Sequence, residues 1–269
     1  MLTFMRSGSR SLIQILLGLM LVLTLGTALA SEKRGVGLWD RDRGAQLALL
    51  HASWYYTWSP YPMRDPVAAT FVPMVWGGRD LQTHINAFKG KPPVPVLLAL
   101  NEPDLSRQAG MSVQQAIDAW PVMSRLADRI SFPATAVPLG GWAAKFEKQA
   151  RVQGLRTDFI AVHLYGPPDA QQFLKQVDQL HRHYGKPIWI TEFAVADWDA
   201  KTPGSNRYSA EQVMDFMKAV IPELEKRPYV ERYAWFGAGR GYGKEAVRTS
   251  LLVDPSGVLT PLGRLYASF

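Results

Sequence analysis

The sequence predicts an α/β chain folded as a compact (β/α)8 barrel of TIM type, with some crossover helices shortened or missing. Three observations predict it. Short apolar or aromatic runs recur eight times, at 36–39, 53–58, 71–76, 95–100, 132–139, 159–165, 187–193 and 232–237, and eight is that barrel's strand number. Helix-like amphipathic patterns separate several of them, clearest at 112–130, 170–184 and 209–226, where Ser112, Asp169 and Ser209 are suited to cap. Runs such as 96–100, five apolar residues in a row, suit strands covered on both faces, which belong to parallel sheets flanked by helices.

The first units are too short for full helices, since only 12 residues separate Trp58 from Phe71. Pro92-Pro93, Pro167-Pro168, Pro203-Gly204 and the glycine-rich stretch 237–243 read as loops, because apolar sequence resumes at once after each. The competing architecture, an open doubly wound sheet, would place a Gly-rich phosphate loop after the first strand, and none follows 36–39.

Residues 1–30 stand apart. Arg6 and Arg10 precede an apolar run at 12–29 that closes on Ala28-Leu29-Ala30, the pattern of a signal peptide for secretion or delivery to a periplasm. Left uncleaved, the run is long enough to anchor the chain in a membrane. The remaining residues, 31–269, are expected to form one catalytic domain. Without the leader the formal net charge falls from +7 to +5, and Lys and Arg are scattered rather than clustered, which argues against a nucleic-acid footprint. With no cysteine there is no disulfide, thiolate nucleophile or cysteine metal site. The five His lack the spacing of a metal motif, so neither metal nor cofactor is expected, and nothing calls for an obligate protein partner.

Two apolar runs end abruptly in carboxylates: 93–104, PVPVLLALNEPD, with Glu102, and 187–194, PIWITEFA, with Glu192. Strand ends at one face of a barrel are where α/β folds place their chemistry. The fourth and seventh strands lie three apart around the ring, so the two Glu are expected to face each other. A carboxyl pair across a sugar-sized gap is the minimum apparatus for glycoside hydrolysis. Asn101, beside Glu102, can offer its amide to a sugar hydroxyl, provided a bulge or turn defeats strict alternation at the strand end. His163 and Tyr165 are two apart, hence on one strand face next to Glu192, and the Tyr165 hydroxyl is expected to orient that carboxylate and keep its pKa low.

Aromatic residues are the remaining signal, because flat rings stack on the C–H faces of sugars. The signal comprises Trp54, Tyr55, Tyr56 and Trp58 on the second strand, Trp76 at the end of the third, Trp142 after the fifth, Trp198 after the seventh and Trp235 on the eighth, and of these Trp54, Tyr56, Trp76, Trp142, Trp198 and Trp235 are the candidate sugar contacts. Trp235 and Trp76 are the favoured platforms, while Trp120 and Trp189 read as packing.

These motifs together resemble glycoside hydrolase family 128, within the retaining clan of (β/α)8 glycosidases. The resemblance rests on Ser53-Trp54-Tyr55-Tyr56-Thr57-Trp58, Phe71-Val72-Pro73-Met74-Val75-Trp76, Leu100-Asn101-Glu102-Pro103-Asp104, His163-Leu164-Tyr165, Trp189-Ile190-Thr191-Glu192-Phe193 and Tyr233-Ala234-Trp235-Phe236. Asp254-Pro255-Ser256-Gly257 and Leu259-Thr260-Pro261-Leu262-Gly263 resemble the family's closing segment. It implies retaining hydrolysis of a β-1,3-glucan, with Glu102 as general acid/base, Glu192 as nucleophile and Asn101 on the 2-hydroxyl. Two alternatives stay open: a non-catalytic glucan-binding barrel, and a same-clan glycosidase for another β-glycan.

Overall fold

The computed structural model describes residues 31–238 and 244–269. The expected leader, 1–30, lies outside the described residues, as do 239–243 of the glycine-rich stretch. In chain order the elements are β1 (Arg34–Gly37), α1 (Gly44–Leu49), β2 (Trp54–Tyr56), β3 (Thr70–Phe71), β4 (Met74–Val75), α2 (Leu81–Asn86), β5 (Val94–Ala99) and α3 (Val113–Met123). There follow β6 (Ala127–Phe132), α4 (Gly141–Val152), β7 (Phe159–Gly166), α5 (Ala170–Tyr184), β8 (Ile188–Val195), α6 (Ala210–Lys226), β9 (Val230–Trp235) and α7 (Pro261–Ala267). From β4 onward strands alternate with helices, and every pairing between these strands is parallel, in the order β3-β2-β1-β9-β8-β7-β6-β5-β4.

The sheet differs from the expected closed ring of eight. It has nine strands, because the run at 71–76 is cut into β3 and β4, and these form the two edges of the curled sheet. Pro73 is the cause, having no N–H to donate. Up to that point the stretch pairs with β2, Val72 N–H donating to Tyr55 C=O at 2.9 Å; from Pro73 on it pairs with β5, Leu98 N–H donating to Pro73 C=O at 3.0 Å. One extended segment thus serves two neighbours in turn, and the sheet curls until its edges are two residues apart in the chain.

A second correction concerns 112–139. The helix expected over 112–130 stops at Met123, a 3-10 turn covers Ser124–Leu126, and the next strand is Ala127–Phe132 instead of 132–139. Arg156 fixes that turn from a distance, donating to the carbonyls of Ser124 at 2.5 Å, Ala127 at 2.7 Å and Asp128, while Asp158 accepts the N–H of Ile130 at 2.7 Å. Local periodicity carries no trace of either side chain. The other two helices run as expected: Asp169 caps α5 through the N–H of Gln172, and Ser209 forms a capping box with Gln212 on α6. As the short spacings suggest, α1 and α2 have six residues each and no helix links β2 to β3. None of the described helices is long and apolar enough to cross a membrane.

The core has two layers. Between sheet and helices lie residues such as Leu97, Phe146, Val177, Phe193, Val220 and Trp235. Inside the curl lie Trp54, Tyr56, Trp58, Met74, Leu98, Phe159 and Trp189. Such large rings fit because β1 supplies glycines: a Cβ on Gly35 would sit 2.2 Å from the Trp54 indole, and one on Gly37 2.5 Å from that of Trp58. The Arg232 guanidinium closes this layer over Trp189 and Trp54, its carbon 4.4 and 5.3 Å from the ring centroids. The tryptophans therefore form a rigid floor, and the site stands on it.

Candidate active site

The segment after β5 carries the first carboxylate. Leu100 and Glu102 adopt φ of 59° and 43°, the left-handed region, at a cost of about 1–3 kcal/mol each for side chains of this size. Between them Asn101 forms a parallel bridge to Ala134 and donates its N–H to Trp76 C=O at 2.9 Å. Left-handed residues on both sides of Asn101 defeat the alternation of a strand, so Asn101 and Glu102 both line one cleft. The device is a turn of the kind the sequence called for.

The second carboxylate stands at an irregularity in β8. The β7–β8 register slips between Val162 and His163, and that of β8–β9 slips between Ile190 and Phe193, which brings Glu192 level with His163. Three donors then converge on it. Trp58 Nε1–H reaches Oε1 at 2.8 Å, the Tyr56 hydroxyl approaches Oε1 at 3.3 Å, and the Tyr165 hydroxyl donates to Oε2 at 2.5 Å. His163 stands between the acids, Nδ1 3.0 Å from Glu102 Oε1 and Nε2 3.5 Å from Glu192 Oε1. One terminal atom from each of Glu102, His163 and Glu192 lies within 4.8 Å of the other two. A cleft of about 780 Å3 opens above them, within the ~300–1,000 Å3 usual for ligand sites.

Burial governs the charges here. It pushes the Glu192 carboxyl above its ordinary value, with the Glu102 charge adding to the rise, while His163, Tyr165 and Trp58 pull it back. The expectation that Tyr165 keeps this pKa low is thus half right: the hydrogen bond acts in that direction, and desolvation outweighs it. For His163 burial favours the neutral ring, yet the neighbouring Glu192, Glu102 and Asp104 charges prevail and its pKa is raised. The Tyr165 hydroxyl is held well above its usual value by burial and by Glu192, and so remains a donor. A cation could find ligands in Glu102, His163 and Glu192 by distance alone. The Glu192 oxygens, however, already accept hydrogens from Trp58 and Tyr165, which suits a bare carboxylate better than a metal ligand.

Comparison with known proteins decides the family. The glycosyl hydrolase catalytic core family matches residues 38–266. An endo-β-1,3-glucanase of glycoside hydrolase family 128, subgroup I, from Amycolatopsis mediterranei, solved with laminarihexaose, is 31% identical. The match covers 88% of this chain and 99% of that one, with a TM-score of 0.73. The chain belongs to glycoside hydrolase family 128. An exo-β-1,3-glucanase of family 128, subgroup V, from Cryptococcus neoformans is 27% identical over 87% of this chain and 98% of its own, with a TM-score of 0.73. Among curated proteins, Alkali-sensitive linkage protein 1 of Schizosaccharomyces pombe is 29% identical over 80% of this chain, which spans 40% of that protein's length.

In this family 128 chain the structure brings Asn101, Glu102, His163, Tyr165, Glu192, Trp76 and Trp198 to the cleft. Trp198 is half exposed and meets Tyr165 edge-on at 5.5 Å. Tyr56 is fully buried, and its hydroxyl supports Glu192 from beneath. Tyr56 therefore does not line the cleft, and neither do three other expected sugar contacts. Trp54 lies deep inside the curl, bonded to Lys33 C=O. Trp142 stacks on Phe146 and donates to Met111 C=O. Trp235 is wholly buried against Phe193 and Phe216 in the outer layer. Alternation along β9 explains the last case: Tyr233 and Trp235 face the outer layer and Ala234 the inner one, so Phe236, one residue on, turns into the cleft with its N–H on Phe193 C=O at 2.9 Å.

Trp58, Trp39 and Phe236 line the cleft; Trp58 belongs to the aromatic signal without being among the expected contacts, and the other two were missed. Trp58 had a usable signal, since it shares the strand face of Tyr56. Trp39 closes the first run, 36–39, is 57% exposed and its ring centroid lies 5.3 Å from that of Trp58. Trp120 and Trp189 are buried packing residues, as expected.

Proposed function

We propose that this chain is an exported, retaining endo-β-1,3-glucanase, secreted or periplasmic, that works by double displacement without a cofactor. One observation carries the reading: an oxygen of the acid and an oxygen of the nucleophile lie within 4.8 Å of each other. Retaining pairs stand about 5 Å apart, whereas inverting pairs stand at about 6.5–9.5 Å to admit a water. In the first step a Glu192 oxygen attacks the anomeric carbon, the glycosidic C–O bond breaks, and the leaving oxygen takes the proton of Glu102. In the second, Glu102 takes a proton from water, whose oxygen displaces Glu192 as a carboxylate.

The surroundings fit these roles. Hydrogen bonds from Trp58 and Tyr165 hold Glu192 in one orientation, and His163 links the two acids, so that protonation of one is felt by the other. Asn101 Oδ1 is buried without a hydrogen-bond partner, and a glucosyl hydroxyl in the cleft would supply one. Export rests on the apolar leader at 1–30, and the β-1,3 linkage on the family 128 relatives.

Two measurements test the proposal. Reducing ends should appear from laminarin and not from β-1,4-glucan, β-mannan or other β-glycans, and binding without turnover would leave a glucan-binding barrel. In proton NMR of the first minutes of hydrolysis, the new anomeric signals should be β. An initial burst of α product would mean inversion and would remove the nucleophile role from Glu192.

A further inference from the structure

Asp104 lies two residues beyond the proposed acid. Its Oδ1 accepts the N–H of Ala136 at 2.9 Å and its Oδ2 that of Val137 at 3.0 Å, so one carboxylate grips two successive amides of the loop after β6. That loop lines the cleft through Ala136, Val137 and Pro138. Glu102 itself is tied to the same stretch, its N–H donating to Ala134 C=O at 2.7 Å. Paired left-handed residues such as Leu100 and Glu102 persist only where the surroundings over-determine them. The other ties are backbone bonds: Leu105 N–H to Glu102 C=O, Ala109 N–H to Asn101 C=O and Met111 N–H to Pro103 C=O. The Asp104 clamp is the side-chain tie between this turn and the opposing loop.

We infer that Asp104 is a positioning residue for Glu102, holding the strained turn against the β6 loop so that the acid points at the leaving oxygen. The inference rests on the reading of Glu102 as acid/base. Glu192 is held separately, by Trp58, Tyr56 and Tyr165. Loosening the clamp therefore weakens proton delivery and leaves nucleophilic attack in place. A residue that only supported the cleft wall would affect every substrate alike.

The leaving group separates these cases. Cleavage of laminaripentaose needs a proton on the departing sugar oxygen; release of 2,4-dinitrophenolate from its β-laminaritrioside does not. For Asp104→Ala, kcat/KM on laminaripentaose is expected to fall about 100-fold, the scale of an ångström-sized misplacement. On the dinitrophenyl glycoside it should stay within about threefold. Asp104→Asn, which keeps one acceptor oxygen, should fall between. Glu102→Gln serves as reference and should show the same dependence, more strongly. Equal losses on both substrates, or no loss on either in a variant that melts like wild type, would overturn the inference. If Glu102→Gln itself shows no leaving-group dependence, the acid assignment fails and takes the role of Asp104 with it.

Discussion

Glu192→Gln is expected to lower turnover of laminarin more than about 1,000-fold, since losing a covalent nucleophile removes a step that oriented neighbours cannot replace. The fold should survive, and stability should not fall at neutral pH. Burial raises the folded-state pKa of Glu192 above its ordinary 4.5, so folding favours the protonated carboxyl. That preference contributes stability in full below the ordinary value, and the contribution is lost as pH rises through the raised one. Gln, uncharged throughout, keeps it. The variant should therefore melt at or above the wild-type temperature at pH 7, with the gap closing as the pH is brought below 4.5. Melting curves at several pH values, beside reducing-sugar assays, check both halves. A less than tenfold loss of activity, or a lower melting temperature at pH 7, would make Glu192 a structural residue.

Trp235→Ala should unfold the protein earlier without altering how it holds sugar. The indole is fully buried, packs on Phe193 at 4.9 Å between ring centroids, and donates Nε1–H to Ser250 C=O at 2.8 Å. Truncation leaves a cavity and a buried acceptor without its donor, together about 3–5 kcal/mol. For a chain of this size that lowers Tm by roughly 10 °C. Calorimetry and kinetics on laminarin at 25 °C separate the outcomes: KM should hold while Tm drops. A raised KM at unchanged Tm would restore the sugar platform first expected of Trp235.

The contrast between these two residues shows what a sequence read alone can carry. Glu102 and Glu192 were legible because a carboxylate that ends a continuous apolar run is conspicuous against its context. His163 and Tyr165 followed from a two-residue period that holds along β7. Trp235 was misplaced because it was chosen as an aromatic ring near a strand end, without asking which face it occupies: alternation puts it with Tyr233 in the outer layer. Trp39 and Phe236 lie just past strand ends yet keep the inner face of their strands, Trp39 following Gly35 and Gly37 and Phe236 following Ala234. Arg156 and Asp158 fix the end of α3 and the start of β6 from outside any window in which periodicity is read. Pro73 was in plain view, but its effect, dividing one strand between two partners, depends on neighbours distant in the chain.

That divided strand also bears on how the molecule breathes. Leu98 and Leu100 send their N–H groups toward Pro73 and Val75, and the strand period turns those of Val96 and Val94 to the same side. At that level β3 is paired with β2 instead, and a groove lined by Pro62, Phe71, Pro73 and Phe88 lies alongside. Local opening needs only a few bonds to part, and it begins where the fewest hold. Amide hydrogens at Val94 and Val96 would then exchange with solvent ahead of those in β7 and β8, which are paired on both sides. The wall of the curled sheet would have a fixed place to open, across the sheet from Glu192 and at the start of β5, the end of that strand away from the turn that carries Glu102.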